Sequence, residues 1–221
     1  MASTGEIPQR TALLRPGVYG RGTETVDLIL KAALDVLVDE GAAAFTLRRI
    51  AARCGMKVGN LSYHFARKEQ LIQLLLDDLL DYYERLLDET VRQPGLAPEE
   101  QLRRIITLVL DDITSKRTTH VFTELWALAN HNAAVADRVA AFYARAHRNI
   151  AAVIAPMNPA LSPEQVDVVA RFISAAMEGT TIFAGHGKPW EHQMPQLTAL
   201  AVASLVQLAR TIRPDEIPAL A

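Results

Sequence analysis

Between Thr46 and Lys68 the chain reads TLRRIAARCGMKVGNLSYHFARK, and few folds accommodate that order of residues. Leu47, Ile50 and Ala51 recur at helical spacing, and Thr46 stands where a side-chain oxygen can cap a helix N-terminus. Cys54-Gly55 marks a break, because glycine accepts the positive φ that a sharp helix exit demands. Met56 re-enters an apolar core, and a second short helix is expected over about 58–64, burying Leu61 and ending near Phe65. Its other face carries Lys57, Asn60, Ser62, Tyr63 and His64. Asn60 can bond an adenine edge, and Lys57 can reach a guanine or a phosphate. Two helices, a glycine turn and a polar second helix make a helix-turn-helix, which points to a DNA-binding protein.

Charge agrees once it is divided along the chain. Residues 1–70 hold ten Lys/Arg against seven Asp/Glu, and the remainder thirteen against eighteen, within a net charge of −2. The positive groups gather where DNA would lie, and a local basic patch is enough for counterion release to drive binding. The N-terminus lacks the apolar core of a signal peptide, and no run approaches the ~18–20 apolar residues of a membrane span. A cytoplasmic protein is expected, with no membrane partner. The single Cys54 excludes an internal disulfide and reads as a small apolar filler, with a redox sensor as the alternative.

The three pieces ETVDLILKAALDVLVDEG, TLRRIAARCGMKVGNLSYHF and ARKEQLIQLLL, in that order, resemble the DNA-binding half of the TetR (tetracycline-repressor-like) family of bacterial transcriptional regulators. The resemblance covers roughly residues 22–76. It implies that Tyr63 and His64 contact phosphates, flanked by Thr46, Arg48 and Lys68 from neighbouring helices. Tyr63 and Phe65 can also pack into the small core, which would make them structural. Two departures from the family pattern stand out. Ser62 occupies a position that is often tyrosine, and its shorter side chain loses reach, so one backbone contact is expected to be absent or replaced. Ala66-Arg67 replaces the usual Ser or Asn cap, weakening capping by up to ~1 kcal/mol.

The expected architecture is all-α with about nine helices: a flexible arm over 1–21, a helix-turn-helix DNA-binding domain over 22–70, and a larger helical ligand-binding and dimerisation domain over 71–221. Arg10, Arg15 and Arg21 in the arm can touch DNA, or the arm is a solubilising tail. Val26, Ile29, Leu30, Ala33, Leu34, Leu37 and Val38 form the stripe of a first helix. Further helices are expected over about 67–87, 98–113, 119–130, 132–154, 163–184 and 195–212, with Ser162 and Gln165 placed for a capping box. The helices near 163–184 and 195–212 are apolar and rich in small residues, so they can build a four-helix interface in a homodimer; alternatively their alanines simply favour helix. A two-fold pair reading half-sites about 34–36 Å apart would specify a palindromic operator where one short helix could not.

The middle of the chain mixes aromatic and polar residues in the manner of a ligand cavity: Phe122, Glu124, Trp126, Asn130, His131, Tyr143, His147, Arg171, Phe172, Glu178 and Phe183. A buried Glu124 or Glu178 would favour a cationic or hydroxyl-bearing ligand, and Arg171 an anion. His120, His131, His147, His186 and His192 show no metal-ligand spacing, and neither a phosphate loop nor a nucleophile elbow is present. The chain therefore reads as no enzyme, with no cofactor. The function expected is a homodimeric repressor that a small-molecule effector releases from double-stranded DNA. The alternative is a ligand-independent DNA-binding protein whose C-terminal half only dimerises or binds another protein.

Overall fold

The apolar stripe of the first helix organises everything around the helix-turn-helix. A computed structural model describes residues 20–218, so the expected contacts of Arg10 and Arg15, and of the Arg21 side chain, lie outside what is described. Helix α1 (Gly20–Glu40) turns Ile29, Ala33, Val36 and Leu37 inward, with Val26, Leu34 and Val38 at the margin. Gly41, at φ +80°, ends it. A 3-10 turn at Ala42–Ala44 and the buried Phe45 lead into α2 (Leu47–Arg53). Gly55, at φ +68°, makes the turn into α3 (Val58–His64). Seven residues fall short of the ~12–15 that a free helix needs. Helix α3 is held instead by Leu61 and Phe65, both buried in the cluster that contains Ile29 and Ile50.

Six longer helices follow: α4 (Lys68–Thr90), α5 (Pro98–Ile113), α6 (Lys116–Ala129), α7 (Ala133–Met157), α8 (Pro163–Ala184) and α9 (Met194–Thr211), with no strand among the described residues. Ser162 Oγ accepts from Gln165 N at 3.3 Å and Gln165 Oε1 from Ser162 N at 3.0 Å, the reciprocal box the sequence predicts. At α4 only half such a box forms, Gln70 Oε1 accepting from Arg67 N at 3.1 Å. Several boundaries differ from expectation, α4 among them in running on to Thr90. Helix α6 begins at Lys116 because Ser115 caps it, accepting from Thr118 N at 3.2 Å. Helix α7 runs through Pro156 to Met157. Pro156 forfeits the bond its N–H would give to the carbonyl four residues back, but Asn158 N still bonds Ile154 O at 3.0 Å and carries the helix past it.

The buried side chains form two clusters, and the division does not fall at residue 70. One joins α1–α3 and the first half of α4 (Leu71, Ile72, Leu76, Leu79) to α6 and the start of α7. The other joins α5, α8 and α9 to the far ends of α4 (Leu87) and α7 (Ile150, Ile154). Helices α4 and α7 thus belong to both. With 23 residues, α4 is about 35 Å long and links the two cores rigidly.

Candidate nucleic-acid interface and cavity

The helix-turn-helix sorts its charges by pairing. Arg49 binds Glu40 at 2.6 Å and Arg53 binds Asp39 at 2.7 Å, so both are turned onto the end of α1. The Arg49 guanidinium holds the Glu40 carboxyl below its ordinary range, and Lys116 with Arg53 does the same to Asp39. Arg48, Lys57 and Lys68 make no ion pair among the described residues, which leaves their charges to an outside anion. Lys57, Asn60 and Ser62 are exposed, and Tyr63 is 87 % exposed, whereas Phe65 is buried at 5 %. Tyr63 therefore takes no part in the core and Phe65 does. His64 is half-buried and meets the Tyr63 ring edge-on at 5.5 Å. Thr46 accepts from Arg49 N at 3.1 Å as the cap of α2. The Cys54 thiol donates to Ile50 O at 2.9 Å, and burial pushes its pKa up, which keeps it an unreactive thiol.

A cavity of about 80 Å³ lies between α4, α5, α7 and α8, with Phe122 of α6 at its edge. Of the residues expected to bind a ligand, Phe122 and Glu178 line it. Two more stand directly behind: Trp126 Nε1 donates to Tyr143 Oη at 3.0 Å, and Tyr143 lies against Glu178. His147 stacks on the Tyr143 ring at 6.0 Å. Burial pushes the Glu178 carboxyl up to about 7, and the Tyr143 hydroxyl offsets part of that rise. The remaining lining includes Tyr83, Glu84, Asn149, Ser174 and Met177, none of which the sequence singles out.

The other six expected ligand residues lie elsewhere. Asn130 ends α6 and His131 follows it, both exposed. Arg171 is exposed and paired with Asp167 at 3.3 Å. Phe172 and Phe183 are each 56 % exposed on the outer side of α8. Glu124 points to α1 instead of the cavity, accepting from Ala42 N at 2.7 Å. Glycine is needed at position 41 for its φ of +80°, and a Cβ there would stand 3.2 Å from Glu124 Oε1, close enough to press on the carboxylate. With His120 Nδ1 on Val38 O at 2.7 Å and Lys116 on Asp39 at 2.8 Å, Glu124 makes α6 a clamp on the end of α1.

Comparison with known proteins agrees with this arrangement at both ends. A family profile described as bacterial regulatory proteins of the tetR family matches residues 29–75, and that of the C-terminal domain of BetI-type transcriptional repressors matches residues 98–207. The chain belongs to the TetR family. An uncharacterised HTH-type transcriptional regulator of Xanthobacter autotrophicus is 26% identical over 161 residues, 71% of this chain and 77% of that protein. One of Mycobacterium tuberculosis is also 26% identical, over 194 residues covering 84% of this chain and 96% of its own. Among solved structures, a putative transcriptional regulator from Saccharomonospora viridis in complex with choline has a TM-score of 0.65 at 21% identity, covering 80% of this chain and 95% of its own. Bacillus subtilis FadR in complex with stearoyl-CoA has a TM-score of 0.65 at 16% identity, covering 83% of this chain and 97% of its own. At such identities the structural likeness is one of fold.

As a TetR-family regulator the chain binds DNA, and its outer surface shows a further feature. Phe172, Ile182 and Phe183 of α8, Trp190 in the following loop and Leu200 of α9 are all about half exposed or more, Leu200 at 67 %. Ala175, Ala176, Ala199 and Ala203 are exposed between them. Thr119 pins the loop to α6, its Oγ1 accepting from His186 N at 2.9 Å while donating to Ile113 O at 2.7 Å. No described helix of this family member is long and apolar enough to cross a membrane.

Proposed function

We propose that this chain is a cytoplasmic homodimeric repressor which a small molecule, held in the cavity, releases from a palindromic operator. The observation that carries the reading is the double membership of α4. Leu71, Ile72 and Leu76 at its start support the helix-turn-helix core, and Leu80, Tyr83, Glu84 and Leu87 further along line the cavity. Anything that shifts the cavity wall of α4 tilts the base on which α3 rests. Asn60 and Lys57 would read base edges, with Thr46, Arg48, Ser62, Tyr63, His64 and Lys68 on the backbone. The exposed apolar faces of α8 and α9 would pair across the two-fold axis, setting the spacing of the reading heads.

Family relatives support two elements of this reading, repression and a small-molecule ligand. One curated relative, from Mycolicibacterium smegmatis, is named a transcriptional repressor and is 38% identical over 66 residues. Two structural neighbours hold a small molecule. A ligand alters operator affinity only by preferring one dimer geometry, typically by 1–3 kcal/mol. The cavity as it stands admits a molecule of about six heavy atoms, at roughly one water-sized space per 10–15 Å³. A larger effector has to part α4 from α8, which would supply the movement.

The test is operator binding by the full-length dimer during a metabolite screen, with Trp126 fluorescence as the reporter of occupancy. A ligand that raises thermal stability and lowers operator affinity supports the reading. The small cavity favours the competing view, a ligand-independent DNA-binding protein. That view prevails if no compound changes operator affinity.

A further inference from the structure

We propose that His120 and His186 form a site for one divalent transition-metal ion such as Zn²⁺, which ties the loop between α8 and α9 to α6. Neither residue lines the cavity, and the site stands or falls independently of the repressor reading.

The two histidines are far apart in the sequence, and the fold is built to bring them together. His186 N donates to Thr119 Oγ1 at 2.9 Å, which fixes the loop backbone against the residue next to His120. Gly185 permits that approach, since a Cβ there would stand 2.6 Å from the same Oγ1. The His120 and His186 rings, both half-buried, are left 6.5 Å apart, centre to centre.

Each ring has one nitrogen engaged, by the kind of partner that orients a metal-binding imidazole. Nδ1 of His120 lies 2.7 Å from Val38 O; a carbonyl only accepts, so that nitrogen carries the proton and Nε2 keeps its lone pair. Nδ1 of His186 stands 3.5 Å from Glu191 Oε1, and Gly187 N donates to the other oxygen of that carboxylate at 2.7 Å. Ligating histidines characteristically give their second N–H to a backbone carbonyl or a carboxylate. Nε2 of each ring bonds nothing among the described residues. Metal–nitrogen bonds of about 2.0–2.1 Å put two imidazole centres on a tetrahedral ion about 5 Å apart, a closure of roughly 1–1.5 Å that a turn of the His186 side chain supplies.

The surrounding charges favour a cation. One turn to either side of His120 on α6, Lys116 is committed to Asp39 at 2.8 Å, while Glu124 has no ion pair among the described residues. Glu191 brings a second carboxylate from the loop. No group of three or more His, Cys, Asp or Glu side chains gathers as metal ligands among the described residues, so water completes the coordination and the affinity is modest. Imidazole ligands select Zn²⁺, Cu²⁺ or Ni²⁺ over Mg²⁺ and Ca²⁺. Because the same His120 ring holds Val38 O, the ion sits where α6 grips the end of α1.

The test is calorimetric titration of the full-length protein with Zn²⁺, with Mg²⁺ as the control. One Zn²⁺ per chain is expected to bind with a Kd on the order of 10 µM, and Mg²⁺ not at all. His186→Ala should weaken Zn²⁺ by about tenfold or more, whereas His192→Ala, which removes an exposed histidine of the same loop, should bind like the parent. Zn²⁺ should also raise the melting temperature of the parent and leave that of His186→Ala unchanged. Imidazole-nitrogen NMR of the parent needs no variant: Zn²⁺ should shift Nε2 of His120 and His186 and leave the other four of the six histidines in place. The absence of saturable Zn²⁺ binding below the millimolar range overturns the proposal. So does binding that survives His186→Ala undiminished, or shifts confined to the exposed His131 and His192, which would mark an adventitious surface ion.

Discussion

Removing the Glu124 side chain should unfasten the reading head from α6. In the folded chain its carboxylate accepts from Ala42 N at 2.7 Å, where the 3-10 turn after α1 has no other partner for that donor. Glu124→Ala leaves a partly buried N–H unsatisfied, which costs about 1–3 kcal/mol. In a domain of this size each kcal/mol lowers the melting temperature by about 2–4 °C, so a fall of roughly 2–12 °C is expected. Glu124→Gln keeps an acceptor in the same place and should lose less than about 1 kcal/mol. Lys116→Ala breaks only the exposed pair with Asp39 and should also lose less than about 1 kcal/mol. Differential scanning calorimetry at one fixed protein concentration measures all three, so that the proposed dimer, whose stability depends on concentration, contributes equally to each. If Glu124→Ala melts with the parent, or if Glu124→Gln costs as much as Glu124→Ala, the hydrogen bond is not what joins α6 to α1.

Asn60→Ala should lose about 1–3 kcal/mol of discrimination between operator and random DNA, measured by fluorescence anisotropy with both sequences; equal losses on both would make Asn60 a backbone contact. Lys68→Ala should weaken binding to all sequences and flatten the plot of log affinity against log salt by about 0.9, one phosphate's worth; an unchanged slope takes Lys68 off the DNA. Phe172→Glu combined with Leu200→Glu puts charge on the apolar outer face and should yield monomers in sedimentation velocity, whereas an intact dimer would locate the interface elsewhere. Glu178 keeps its proton in the folded state up to about 7 against an ordinary 4.5, so its contribution is full below 4.5 and is lost as pH rises through 7. Glu178→Gln should accordingly stabilise the protein by on the order of 2–3 kcal/mol at about pH 8 and by almost nothing near pH 4, and an equal gain at both would refute the buried-carboxyl reading.

Legibility from sequence followed the range of the interactions. The helix-turn-helix could be read because its signals are local: the Thr46 cap, the Gly55 turn and the Leu61 anchor each sit within a few residues of what they determine. The Ser162 box was legible for the same reason. Cavity residues were harder, since helical periodicity says that a side chain is turned inward but not which void it meets. Phe122 and Glu178 were identified by chemistry, whereas Tyr83 and Glu84 were passed over as parts of a connecting helix. Glu124 shows the failure most clearly. An acidic residue two positions before a tryptophan resembles a ligand contact, yet its partner is a backbone N–H 82 positions away. Phe172 and Phe183 failed in the opposite sense, being apolar enough for a wall but turned to the outside. No sequence pattern tells a face covered by its own chain from one covered by a second copy.

The clamp and the cavity meet at Phe122. Its ring lines the cavity on one side and, on the other, a smaller crevice of about 20 Å³ bordered by Leu34 and Leu37 of α1 and Leu75 and Leu79 of α4. It also packs 5.5 Å from Phe142 and 6.1 Å from Trp126, ring centre to ring centre. A ligand that displaces Phe122 therefore has a void to push it into, on the side where α6 grips α1. Packed interiors resist continuous deformation, so side chains beside a void tend to choose between discrete positions. In the proposed repressor this gives the effector two routes to the DNA surface: along α4 from Tyr83, and through α6 from Phe122 to the contact between Glu124 and Ala42. Filling the crevice with Leu34→Phe should block the second route alone. If the response to effector then persists at full strength, α4 carries the signal unaided.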